Sequence, residues 1–578
     1  SFVGLLALGG LLAFANRAAL GAWAFSVTGE EQPPAQARAL WHLVVGALRP
    51  PLDLRPEVPI QHNGVNPFGI NTFLQQEVEL SKREAQVRLI AEAGFHWLRQ
   101  EFPWADIEIS GKGKFEDCRN GPCISAWEKY DHIVSLAEKY GLEILVRLSS
   151  PPAWSRADGD ARGAFGPPDD ANDFADFAQA VAERYRGRLR YYQIWNEPNI
   201  FPEWGDQPAD PEAYTQLLCA AYARLKAVDP DIVVVAAPLA PTNPLGLVNG
   251  ASNNAAELND FVYLQRMYHA GAAKCFDVMS VQGYGLGSGP TDRRLRPLQF
   301  NYARNLFIRD LMVKNGDAHK AIWIAEVNWN AAPEHIPSIF GRVTEEQQAR
   351  YAPLAYARAQ SEWPWVGANF FWFFKRASDA EKDQAWYYFR MAEPDFTLLP
   401  VYQTMKDYIA TARVMYPGWF QEDHWAVEWS GEWKVASSER YTFGKARESE
   451  GNASLRFTFE GNEALLLASG PGTVTVRVNG GPPSVFNLHS SIIHLPLARN
   501  LPAGRHTVEV VAKGRVAVDG FIIRRAPELA PGLALLMGGL LALPALRRPR
   551  AGDRRSPSPP ASLSQQERES QGRGARQL

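Results

Sequence analysis

Apolar runs and amphipathic stretches alternate along the chain from Pro67 to Ala412. Short apolar runs predict β-strands at 67–74, 96–102, 142–149, 190–196, 232–238, 276–284, 321–328 and 367–374. Apolar residues at helical spacing predict helices at 81–93, 125–140, 171–186, 211–228, 256–272, 298–315 and 344–361, with a last one at 400–412. Three of these begin with a capping-box pattern: Ser81-x-x-Glu84, Ser125-x-x-Glu128 and Thr344-x-x-Gln347. Gly94 and Gly141 follow the first two helices, where a left-handed C-cap favours glycine. Repeated β-then-α units of this kind predict an α/β fold, a (β/α)8 TIM barrel over 61–412. Pattern alone leaves a doubly wound open sheet as the alternative.

After residue 413 the apolar period falls to two. Ser454–Phe459, Thr473–Val478 and His506–Val511 alternate apolar and polar positions, separated by Gly- and Pro-containing turns. Such short strands predict a β-sandwich over 413–525. Its bland reading is a structural spacer, although Trp419, Trp425, Trp429 and Trp433 cluster near its start.

The chain ends carry different signals. Leu529 to Leu546 contains no charged residue and is followed at once by Arg547, Arg548, Arg550, Arg554 and Arg555. This predicts a transmembrane helix over 529–546, with a disordered cytoplasmic tail at 547–578 and the rest of the chain extracytoplasmic. Residues 1–27 are apolar apart from Asn16-Arg17 and read as a signal or anchor segment. The Pro-rich stretch 28–60 reads as a linker, interrupted by a short helix near Ala39 to Leu48.

Composition narrows the function. Basic and acidic residues number 60 and 63, which gives no electrostatic reason to expect a nucleic-acid partner. Four cysteines form no CxxC or Cys/His cluster, so no zinc site is expected. Cys118 and Cys123 flank a turn, where a local disulfide is left open; Cys219 and Cys275 read as buried thiols.

The chemistry is expected at the C-terminal ends of the barrel strands. The fourth predicted strand ends Gln193-Ile-Trp-Asn-Glu-Pro198, with Glu197 as its last residue, and the seventh ends Ile324-Ala-Glu-Val-Asn328. A carboxylate closing an apolar strand is costly unless it is used or paired. Strands four and seven face each other across a barrel, and two carboxylates across one cleft suit glycoside hydrolysis. An Asn-Glu-Pro on strand four with a lone Glu on strand seven resembles glycoside hydrolase clan A. The barrel followed by a sandwich is most similar to glycoside hydrolase family 39 and its relatives.

The resemblance implies a retaining glycosidase with Glu197 as acid/base and Glu326 as nucleophile. It further implies that Arg99 pairs with the nucleophile, that Asn196 bonds the sugar 2-hydroxyl and that Tyr284 donates to Glu326. Pro152-Ala-Trp154 resembles the family's Pro-x-Trp segment, and Trp372 stands where the clan often places a sugar platform. Trp104, Trp204 and Trp329 are candidates for further subsites. Gln282 departs from the pattern, because clan members often carry His two residues before the strand-six Tyr. Glu101 receives no role.

No metal or organic cofactor is required. The expected partners are an oligo- or polysaccharide substrate and, through 529–546, a membrane. β-Xylosides, β-glucosides, β-galactosides and a cell-surface polysaccharide all fit. Two other readings stand beside hydrolysis: a catalytically idle barrel that anchors a glycan, and a transglycosidase.

Overall fold

The computed structural model describes residues 16–243 and 257–525. Eight parallel strands close on themselves: β1 (Phe68–Thr72), β2 (Trp97–Pro103), β3 (Glu143–Ser149), β4 (Tyr191–Ile194), β5 (Val233–Leu239), β6 (Val278–Gln282), β7 (Ile322–Val327) and β8 (Val366–Phe371). β1 pairs with both β2 and β8, so the sheet has no open edge and the doubly wound alternative falls. Most of these strands are buried on both faces, which is why they read as continuous apolar runs rather than alternating ones.

A helix follows each strand: α3 (Leu80–Glu92), α4 (Glu128–Lys139), α5 (Ala171–Arg184), α6 (Pro211–Val228), α7 (Asp260–His269), α8 (Asn305–Lys314), α9 (Glu345–Glu362) and α10 (Pro400–Ile409). They are preceded by α1 (Arg17–Thr28) and α2 (Pro33–Gly46). Of the three expected capping boxes only that of α9 forms, with Thr344 and Gln347 each bonding the other's backbone. Ser81 lies inside α3, whose N-cap is Glu79. Ser125 precedes α4 by two further residues, and its hydroxyl accepts from the Trp127 N–H instead. Gly94 and Gly141 both adopt positive φ, +86° and +67°, as expected of residues that end helices.

The 28–60 stretch is not a plain linker. Pro33 and Pro34 open α2, because the first turn of a helix has no partner for the N–H that proline lacks. The α1–α2 hairpin is fastened to the β6–α8 loop: Gly289 N–H donates to the Gly29 carbonyl at 2.7 Å, and Arg293 N–H donates to that of Val27 at 3.1 Å. Phe25 stacks on Tyr351 of α9. The chain then runs along the barrel, where Asp53 N–H meets the Asp310 carboxylate at 2.8 Å.

Residues 418–524 form two facing antiparallel sheets. The alternation read from sequence is seen in Asn452–Gly461, which turns Ala453, Leu455, Phe457 and Phe459 inward. The sandwich packs at the N-terminal end of the barrel, away from the strand ends expected to carry chemistry. Trp425 stands edge-on to Phe68 at the start of β1, and its N–H donates to the Gly64 carbonyl at 2.8 Å. Barrel and sandwich make one compact unit.

Both cysteine pairs are disulfides: Cys118–Cys123, within a short hairpin, and Cys219–Cys275. The second corrects the expectation of buried thiols. The residues are 56 positions apart, but β-α-β winding lays α6 beside the lead-in to β6. Among the described residues no helix is long and apolar enough to cross a membrane. The expected span at 529–546, the tail at 547–578 and residues 1–15 of the expected anchor lie outside the described residues.

Candidate active site

The floor of the barrel is aromatic. Trp97, Tyr191 and Trp323 meet across the interior with ring centroids 4.7–5.5 Å apart. Above this layer the interior becomes polar. Arg99 stands two residues beyond Trp97 on the same face of β2, and its guanidinium is buried to 2 % exposure. A buried cation must be fully paired to be tolerated. Arg99 meets this with four acceptors: Gln193 Oε1 at 2.8 Å, Asn71 Oδ1 at 2.7 Å, Glu326 Oε1 at 2.8 Å and Asn196 Oδ1 at 2.8 Å. It thereby ties β1, β2, β7 and the turn after β4 into one cluster.

Glu326 faces this cluster because β7 carries a bulge. Where β6 advances one residue, Val281 to Gln282, its partner on β7 advances two, Ile324 to Glu326. The extra residue returns Glu326 to the interior face that Trp323 occupies three positions earlier; bulges re-aim side chains in this way. The second oxygen of Glu326, Oε2, accepts from the Tyr284 hydroxyl at 2.5 Å. Burial, then the Glu326 charge beside it, holds the Tyr284 phenol protonated, well above its ordinary range.

Glu197 sits differently from expectation. β4 ends at Ile194, and Glu197 lies in the turn beyond it. Trp195 and Glu197 both have positive φ, +72° and +39°, a conformation that costs about 1–3 kcal/mol for a residue other than glycine. Neighbouring strands hold the turn: Trp195 N–H donates to the Leu148 carbonyl at 2.8 Å and Glu197 N–H to that of Pro238 at 3.0 Å. The carboxyl accepts one bond from Gln282 Nε2 at 2.5 Å. Burial pushes its pKa up to about 8, aided by the nearby charges of Glu326 and Glu203. Gln282, the residue that departed from the clan pattern, thus gives a neutral donor where a charged one would favour the ionised form.

Two further acidic residues adjoin the pair. Glu203, in the loop after β4, hydrogen-bonds Asn196 and is raised to about 7, chiefly by burial. Glu101 accepts from Ser149 and Ser150, both at 2.8 Å, and pairs with Arg147 at 2.7 Å. Burial alone would raise its pKa, but Arg147 and these hydroxyls hold it below the usual range.

The tryptophans divide. Trp372 is half-buried and lines the cleft with Asn71, Phe73, Arg99, Glu101 and Arg147. Trp154 is also half-buried, edge-on to Trp104, and donates to the Glu108 carbonyl at 2.8 Å. Trp329 is fully buried, donates to the Ser288 carbonyl and packs beside Tyr302 and Tyr351, so the expectation that it contacts sugar is corrected. Its indole lies so close to Gly285 that any Cβ there would fall about 2.0 Å from the ring nitrogen. Trp104 and Trp204 are likewise core residues, against Phe177 and Trp195 respectively.

Sequence reasoning therefore located Arg99, Asn196, Glu197, Tyr284, Glu326 and Trp372, which the fold brings to one cleft. It missed Asn71, Gln193, Arg147 and Glu203. A polar residue inside an apolar strand, as in Tyr191-Tyr-Gln-Ile194, was the available signal for Gln193. Glu203 lies in a loop and left none.

No family model matches the chain. Among curated proteins, β-glucosidase-like SFR2, chloroplastic, of Oryza sativa subsp. japonica is 25 % identical over 123 residues, 21 % of this chain and 18 % of that protein's length. Similar solved structures are family 39 and other glycoside hydrolases. A family 39 glycoside hydrolase from Bacteroides cellulosilyticus WH2 has TM-score 0.45 and 17 % identity, covering 79 % of this chain and 82 % of that one. A GH39 β-xylosidase from Caulobacter crescentus has TM-score 0.41 and 14 % identity, covering 80 % and 99 %. The endo-β-1,4-mannanase from Thermotoga petrophila has TM-score 0.41 and 14 % identity, covering 82 % and 100 %.

Proposed function

We propose that the chain is a retaining glycosidase, with Glu197 as acid/base and Glu326 as nucleophile. One observation carries this reading: two buried glutamates share a cleft in opposite electrostatic settings. Glu326 receives a guanidinium and a phenol, one on each oxygen. Glu197 receives a neutral amide and is held protonated to about pH 8, by burial first and the Glu326 charge second. Paired carboxyls whose environments separate their proton affinities mark an acid and a base or nucleophile.

The steps follow from those settings. Glu197 gives its proton to the glycosidic oxygen as the bond to the anomeric carbon breaks. Glu326, oriented by Arg99, attacks that carbon and forms a glycosyl-enzyme. As its charge is lost, the Tyr284 hydroxyl is free to turn toward the ring oxygen. Glu197, now ionised, takes a proton from water, which displaces Glu326 with net retention. Asn196 presents its amide toward the sugar 2-hydroxyl, held between Arg99 and Glu203. Trp372 offers its indole face to the ring. A binding-only barrel would have no use for a proton donor facing a nucleophile.

The substrate class is a β-linked glycoside or surface polysaccharide. We place the barrel outside the cytoplasm, tethered through 529–546. Two disulfides support an oxidising compartment, and the Arg-rich sequence after Leu546 supports a cytoplasmic tail.

The test is hydrolysis of aryl β-glycosides and surface polysaccharides by the protein and by Glu197→Gln and Glu326→Gln. Each substitution is expected to lower the rate by at least about 10²–10⁴. NMR of the first-formed sugar should show the starting anomer. Inversion, or full activity of Glu326→Gln, would remove the nucleophile assignment.

A further inference from the structure

The α1–α2 hairpin has an unfinished surface. Its closed end is bound to the barrel, as described above. At the other end Leu20, Trp23, Trp41, Val44, Val45 and Leu48 are exposed, Trp41 to 65 % and Leu48 to 86 %. Gln36 Nε2 donates to the Gly21 carbonyl at 3.1 Å and to that of Glu30 at 2.9 Å, which clasps α1 to the first turn of α2. Beyond it Trp41, Val44 and Val45 share one face of α2, with Leu48 just past its end. Six large apolar side chains gathered on one small element make a contact surface rather than scattered exposure.

Charge says what covers it. In residues 1–52 the only acidic side chains are Glu30 and Glu31. Both are turned to the barrel, Glu30 to Arg294 at 2.6 Å and Glu31 to Arg350 and Tyr351. The outer surface of the hairpin is therefore apolar and free of acidic side chains, with the exposed Arg38 one turn before Trp41 on α2, while Arg49 donates to the Leu295 carbonyl at 3.3 Å. Trp at the boundary of an apolar face, flanked by Arg, is the composition of an element lying in the headgroup layer of a bilayer. The residues that lead into α1, Phe2 to Ala15, contain no charge.

We propose that the open end of the α1–α2 hairpin docks on an anionic lipid surface, with Trp23, Trp41 and Leu48 inserted among the headgroups. The hairpin grips the 289–293 stretch of the loop that begins just after Tyr284. Docking would thus set the rim of the cleft close to the membrane and favour glycosides displayed there. That last consequence rests on the glycosidase reading; the docking itself does not.

The experiment uses the full chain. All four native cysteines are paired, so Leu48→Cys and, separately, Val485→Cys on the sandwich give single labelling sites for an environment-sensitive fluorophore. Vesicles of equal parts phosphatidylcholine and phosphatidylglycerol are expected to shift the emission at 48 to the blue. Lipid-borne quenchers should reach that probe, and the probe at 485 should stay unchanged. A probe at 48 that remains in water with vesicles present overturns the proposal, whether or not the chain sediments with them. The same shift without lipid also overturns it, since a second copy would then be the occupant. Hydrolysis of a soluble aryl glycoside, measured on the same labelled protein, reports on the active-site reading independently.

Discussion

The proton on Glu197 has consequences at the scale of single residues. Catalysis by the proposed route needs Glu197 protonated, so kcat/KM is expected to fall as pH rises through about 8. Glu203 is one of the charges that raise it. Glu203→Gln should therefore move the alkaline limb to lower pH, which a pH–rate profile measures; an unmoved limb would leave Glu203 only a tether for Asn196. Stability follows the same protons with a definite sign. A carboxyl whose folded pKa lies above its unfolded value binds more protons when folded, so stability declines between about pH 4.5 and 8. Glu197→Gln removes that decline, and its melting temperature should gain on the parent's as pH rises through this window. Tyr284→Phe takes one charge-assisted bond from Glu326, worth about 1.5–3 kcal/mol. It also removes the hydroxyl that turns toward the ring oxygen as the Glu326 charge is lost. A bond of that strength made there converts to roughly a 10- to 150-fold loss in turnover, which steady-state kinetics of the variant measures. At this scale the sequence was legible where chemistry interrupts an apolar strand, as at Glu326. It was not legible where the decisive feature is a loop: Glu203 has no periodic context, and Trp329 at a strand end looks the same whether it faces sugar or core.

Capping patterns show how an element differs from its local sequence. Thr344 and Ser81 carry the same motif, yet only Thr344 caps a helix. The reason lies one residue away: Leu80 is already helical, which carries Ser81 past the position where its hydroxyl could reach an unpaired N–H. Thr344→Ala is expected to cost about 1 kcal/mol, and Ser81→Ala to stay within about 0.5 kcal/mol. Denaturant titration of the two variants separates them, and equal losses would contradict the observed caps. The strands and helices of the barrel were readable because burial on both sides demands long apolar runs. The Cys219–Cys275 bridge was not, because winding rather than sequence proximity brings its ends together. The α2 helix was foreseen only in part, since Pro33-Pro34 signals a break everywhere except in a first helical turn.

For the whole molecule, the shared surface between barrel and sandwich matters most. Pattern distinguished the two halves by period but could not say whether they touch, nor that the sheet closes. The structure places the sandwich against the N-terminal end of the barrel. Asn63 Nδ2 donates to the Trp419 carbonyl at 3.1 Å, Trp425 packs on Phe68, and Lys445 pairs with Asp231 at 2.9 Å. None of these residues lines the cleft, so the sandwich supports the barrel's base rather than extending its subsites. The Trp425 ring packs on the barrel core, so parting the sandwich from the barrel exposes it to water, and this couples the unfolding of the two halves. The parent protein is therefore expected to melt in one calorimetric transition across barrel and sandwich. Trp425→Ala should divide that transition in two, with hydrolysis of an aryl glycoside little changed at temperatures below the first. If the variant instead lost activity in step with its sandwich, the sandwich would have to reach the cleft by a route that this packing does not provide.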